Sequence, residues 1–124
     1  MPTYLVTFLL LLALALPAWS APCNQVRINT QNSGSSITVD GTSGGIVVAP
    51  ANTTRCSLAL RNESANPMRC APSTGPTALT VTSTVGFLLD NTVVLTAEWD
   101  GVQEWRCIRT TGSSTTVSVA EGLP

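Results

Sequence analysis

Histidine and lysine are absent from this chain of 124 residues, and only a tenth of it is charged. Each absence removes a chemistry. Without histidine there is no Ser–His or Cys–His nucleophile and no imidazole ligand for zinc or copper. Without lysine there is no Schiff base and no Ser–Lys dyad. Six arginines face seven aspartates and glutamates, so no basic patch tracks a nucleic-acid backbone. No charge run draws the chain to an anionic membrane surface. No CxxC pair and no clustered aspartate motif points to a metal. Helical periodicity is missing as well. Paired carboxylates are the catalytic chemistry these absences leave open, and the expectation is a protein that is not an enzyme and takes no cofactor.

What is present begins with an apolar run from Leu5 to Leu16, broken only by Thr7. About a dozen residues suit the core of an export signal and fall short of a bilayer about 30 Å thick. Pro17 ends the run, and Ala18 and Ser20 supply the small side chains of a cleavage site. Residues 1–20 are expected to be a signal peptide and 21–124 a single exported domain. The amino-terminal MPTY departs from the pattern in having no Lys or Arg. The expected location is extracellular, or the periplasm or cell surface of a bacterium, with no stable membrane insertion after cleavage.

Cys23, Cys56, Cys70 and Cys107 are an even count in an exported chain, which reads as two disulfides. Three connectivities are open. The favoured one joins Cys70 to Cys107, both on apolar strand faces, and leaves Cys23 with Cys56.

Thr, Ser and Val dominate the remainder, in short alternating runs between turn signals. This predicts an all-β domain of about eight to ten short strands, a small disulfide-stapled β-sandwich or jelly-roll-like barrel. The clearest runs are Val26/Ile28, Ile37/Val39, Ile46–Val48, Leu58/Leu60, Met68/Cys70, Leu79/Val81, Phe87–Leu89, and Thr115/Val117/Val119. Val93, Leu95, Ala97 and Trp99 share a face. Asp100-Gly101 is a hairpin signal, and a three-residue loop pairs Ala97 with Trp105 and Leu95 with Cys107. The core is expected from the aliphatic rows plus Phe87, Trp99 and Trp105. The tail EGLP is expected to fray.

Several groups invite a functional reading. Glu98 and Glu104 would face each other across the hairpin, and paired carboxylates can hydrolyse a glycoside. A flat strand face offers them no pocket, so solvated residues, with Arg106 diagonal to Glu98, are the simpler account. Trp99 and Trp105 would make an aromatic platform if exposed, but their register favours the core. Asp40, Asp90 and Asp100 sit beside Gly or Asn, as turn residues do. Thr110 to Thr116 is either a hydroxyl surface or a turn. Ala71 to Pro76 is a loop beside a cysteine that a secreted inhibitor or effector would present. Asn52-Thr53-Thr54 and Asn62-Glu63-Ser64 are sequons at expected loop or strand edges.

From Arg55 the chain reads RCSLALRNES, then NPMRC from Asn66, GFLL from Gly86, WRCI from Trp105 and TVSVAE from Thr116. This series resembles small β-sandwich modules of bacteriophage virion proteins and related bacterial surface proteins, across residues 55–121. Those modules usually lack cysteines and a leader, and this chain carries both. The resemblance implies a structural or attachment module with no catalytic residues to carry over. The expectation is a secreted or cell-surface, non-catalytic binding or assembly module. Its partner would be a protein or a second copy, met through sheet edges or loops.

Overall fold

The computed structural model describes residues 23, 25–28, 36–97 and 102–124. The expected leader, together with Glu98, Trp99, Asp100 and Gly101, lies outside them. Nine strands are present among the described residues: β1 (Gln25–Ile28), β2 (Ile37–Val39), β3 (Ile46–Ala49), β4 (Ser57–Asn62), β5 (Met68–Pro72), β6 (Phe87–Leu89), β7 (Val94–Ala97), β8 (Trp105–Arg109) and β9 (Thr115–Leu123). They form two antiparallel sheets. One has the order β1-β9-β4-β7, with β2 also on β9; the other has the order β3-β8-β5-β6. The fold is an all-β sandwich stapled by two disulfides.

Alternation explains which face each strand buries. In β4, Leu58, Leu60 and Asn62 point inward. In β9, Thr115, Val117, Val119 and Glu121 do the same. These rows meet Val48, Met68, Leu89, Trp105 and Cys107 from the opposite sheet in one core. Each large aliphatic side chain buried there contributes about 1.5–3 kcal/mol.

Cys70 and Cys107 lie directly opposite each other on neighbouring strands β5 and β8 and are fully buried. The other bridge joins Cys23, just before β1, to Cys56, just before β4. Both strands flank the end of β9, where Val26 and Ser57 each pair with Gly122. A Cβ at Gly122 would run into the Ser57 hydroxyl and the Cys23 sulfur. Glycine there leaves room for the bridge.

Four expectations fail here. The hairpin does not form: β7 pairs with β4, while β8 pairs with β3 and β5 in the other sheet. Ala97 lies opposite Leu58 and Leu95 opposite Leu60. Trp105 and Cys107 meet those residues across the core instead of along one ladder. Leu79 to Thr82 is not a strand. It belongs to the long β5–β6 connection, whose Val81 covers Ala71 and Ile108 on the outside of the second sheet. Phe87 is half exposed, because β6 is an edge strand, and its ring lies 6.1 Å from the buried Trp105 ring. The tail is strand through Leu123, with Glu121 buried.

Candidate functional site

Edges are where a sandwich has unsatisfied backbone, so the edges locate the candidate site. The short connection from Asp90 to Val93 places β6, the edge of one sheet, beside β7, the edge of the other. Within this connection Thr92 adopts a positive φ of 64°, uncommon for a β-branched residue. Phe87, Leu88, Val93 and Val94 are all exposed along this margin, and no Lys, Arg or Pro interrupts either strand.

The phase of the ladder shows which groups are open. Asn62 N–H donates to Val93 C=O at 3.3 Å. Alternation then gives Leu95 and Ala97 the bonds to β4, and turns the N–H and C=O of Val94 and Thr96 outward. Beside Val94, an open depression of about 360 Å³ crosses the outer face of the same sheet. Its floor is small, with Ala59, Ser118 and Ala120. One end is polar: Arg61 lies 3.6 Å from Glu63, and the Ser118 hydroxyl donates to Glu63 at 2.6 Å.

Behind this margin, buried polar groups hold the scaffold. The Asn62 carboxamide is fully buried. Its nitrogen donates to Asn66 C=O at 2.9 Å and Leu89 C=O at 3.0 Å. Its oxygen accepts from Ser64 N–H and from the Ser64 and Thr115 hydroxyls. One side chain thus ties the ends of β4, β6 and β9 together. Arg55 is also buried; its Nε lies 3.2 Å from Glu121, and Nη2 donates to Pro50 C=O. Its Nη1 makes no hydrogen bond to any described residue. Burial pushes the guanidinium pKa down, and the Glu121 charge opposes that shift.

The other sequence candidates separate. Glu98 and Trp99 lie outside the described residues. Glu104 accepts from Arg106 Nε at 2.8 Å and from the Ser73 hydroxyl at 2.8 Å. Those bonds, Arg106 first, hold its carboxyl below the usual range. Trp105 is core, not platform. Asp40 accepts from Thr42 N–H at 2.8 Å, as a turn aspartate does, and hydrogen bonding from the Thr42 side chain, then from its backbone, lowers its pKa. Asp90 C=O accepts from Val93 N–H in the β6–β7 turn. Of the Thr110–Thr116 run, the first part is a turn bonded to Asn66 and Pro67, and Thr115 is buried.

The loop expected at Ala71–Pro76 starts later. Ala71 and Pro72 are buried in β5, whereas residues 74–80 are exposed. That loop is anchored by Ser73 N–H to Glu104 C=O at 2.8 Å and Gln103 Nε2 to the Thr77 hydroxyl at 3.1 Å. Asn62 cannot be the surface acceptor its sequon suggested, because both its N–H groups are spent in the core. No group of three or more His, Cys, Asp or Glu among the described residues is placed to hold a metal, and no described helix is long and apolar enough to cross a membrane.

No protein-family model, curated protein or solved structure matches the chain.

The exposed margin has a signal in the sequence that alternation alone does not pick out. Val93-Val94-Leu95 and Phe87-Leu88-Leu89 are apolar at both parities, so one face of each strand must carry apolar side chains away from the core.

Proposed function

We propose that this chain is an exported, non-catalytic β-sandwich module that works by binding or assembly. Contact is made through the β6–β7 margin, where a partner strand adds to β7. The observation that carries this reading is the apolar margin, whose two strands carry no charged residue, with the backbone groups of Val94 and Thr96 directed outward. A strand added there would take up the open hydrogen bonds, and its side chains would reach the depression beside Val94. Two disulfides suit an oxidising compartment, in keeping with the export signal read from Leu5 to Ser20. The resemblance of residues 55–121 to virion and surface modules points the same way. A second reading, an inhibitor or effector, is favoured by the exposed loop at 74–80 being held firmly at Gln103 and Glu104.

The test is sedimentation velocity of the cleaved domain over a wide concentration range, with binding of the labelled domain to cell surfaces measured in parallel. Mass growth or saturable surface binding that Val94→Lys removes supports the margin. Association or binding that survives Val94→Lys and is lost on replacing residues 74–80 by a Gly/Ser linker moves the function to the loop. A monomer that binds no surface overturns both.

A further inference from the structure

The two sequons share a motif and have opposite surroundings, and we propose that Asn52 is the chain's N-glycosylation site, whereas Asn62 is closed to it. Asn52 lies in the connection from β3 to β4, where Ala51, Thr53 and Thr54 are exposed. Its carboxamide oxygen accepts from Thr54 N–H at 3.0 Å and from the Thr54 hydroxyl at 2.7 Å. Its nitrogen has no hydrogen bond to any described residue. In the fold these bonds hold the carboxamide oxygen toward Thr54 and use neither of the Nδ2 protons.

The donor is a polyprenyl-diphosphate-linked oligosaccharide of a secretory pathway. Asn52 Nδ2 bonds to the anomeric carbon of the sugar as the carbon–oxygen bond to the diphosphate breaks. The bonding pair leaves with the diphosphate, and one Nδ2 proton passes to a base of the transferase. Such transfer acts on the chain before folding is complete, so what separates the sites is what the fold accepts. A sugar on Asn62 would replace a donor to Asn66 or Leu89 and would have to fit between β4, β6 and β9. Chains modified at Asn62 do not reach the folded state. Asn52 is half-buried, with its backbone N–H on Val102 C=O at 2.9 Å, and it lies between exposed neighbours, outside the two sheets. Asn52 follows β3, which lies at the opposite edge of its sheet from β6.

The full chain is expressed in a cultured mammalian line. Secreted and cell-retained pools are treated with peptide:N-glycosidase, which converts each glycosylated Asn to Asp, and are mapped by mass spectrometry. The secreted pool is expected to carry one glycan, on Asn52. Asn52→Gln and Thr54→Val each abolish it, and Ser64→Ala leaves it unchanged. Any modification of Asn62 is confined to the retained pool. A secreted domain without a glycan, or folded and secreted protein with a glycan on Asn62, overturns the proposal. The retained pool keeps the test decisive for a variant that is not secreted, because occupancy of Asn52 is read there as well.

Discussion

Along one margin of the sandwich the strand edges are guarded, and along the other they are open. On the β1, β2 and β3 side the edge strands run for three or four residues. The Cys23–Cys56 bridge ties down the β1 end, and β3 shifts register between Val47 and Ala49 before stopping at Pro50. On the β6 and β7 side the strands are equally short, and β7 is entered through a bulge in which Thr92 and Val93 both bond to Asn62. The strands themselves carry no cross-link and no charge, and they expose Phe87, Leu88 and Val94. Natural sheets blunt their edges with bulges, charges and covers. An edge left apolar and uncharged along its strands is either a hazard or a working surface. Its anchoring by the buried Asn62 network argues for the second, since the surface is held in one shape.

The comparison predicts that stability resides in the buried polar and disulfide ties and that association resides in the open margin. The largest effect is expected from Glu121→Ala, which leaves Arg55 buried without its counter-charge. It should destabilise the domain by about 3–5 kcal/mol in urea unfolding. Replacing Cys70 and Cys107 together by Ser should lose about 2–4 kcal/mol in the same assay. Asn62→Ala removes the Asn62 donor from Leu89 C=O and leaves Asn66 C=O with only the Thr115 hydroxyl, and should lose about 1–3 kcal/mol. By contrast, Leu88→Lys with Val94→Lys should leave stability within about 0.5 kcal/mol while abolishing association or surface binding. A large stability loss from that pair would erase the distinction between the margins.

The smallest expected effect concerns acid. Arg106 and Ser73 depress the Glu104 pKa in the folded state. The stabilisation is therefore present above the ordinary carboxyl pKa and is lost as pH falls through the depressed folded value. Urea midpoints at about pH 7 and about pH 3 should differ less for Glu104→Gln than for the unaltered domain. Equal differences would mean that this carboxylate does not contribute.

Alternation made inward-facing residues readable: Leu58, Leu60, Val117, Val119 and Trp105 are all buried. It did not reveal which sheet a strand joins. Leu95 and Cys107 point inward whether their strands are hairpin partners or face each other across a core, so the Asp100-Gly101 signal does not distinguish a hairpin from two strands, β7 and β8, that belong to different sheets. The cysteine pairing was only partly legible: the apolar faces of Cys70 and Cys107 favour the bridge that the structure has, but alternation alone leaves all three connectivities open. Asn62, Arg55 and Glu121 were not legible. A polar residue in a strand reads as solvent-facing until its partners, distant in sequence, are known. The open margin was hidden for a related reason: edge position is a property of the assembled sheet.

Amide hydrogen exchange at Val94 and Thr96 tests the central claim most directly, comparing dilute domain with the highest concentration at which it associates or with surface-bound domain. Added strands predict that these two amides, fast in the dilute domain, become protected together, with Leu95 and Ala97 little changed. Association or binding that leaves Val94 and Thr96 exchanging at the dilute rate would contradict a role for the β7 edge.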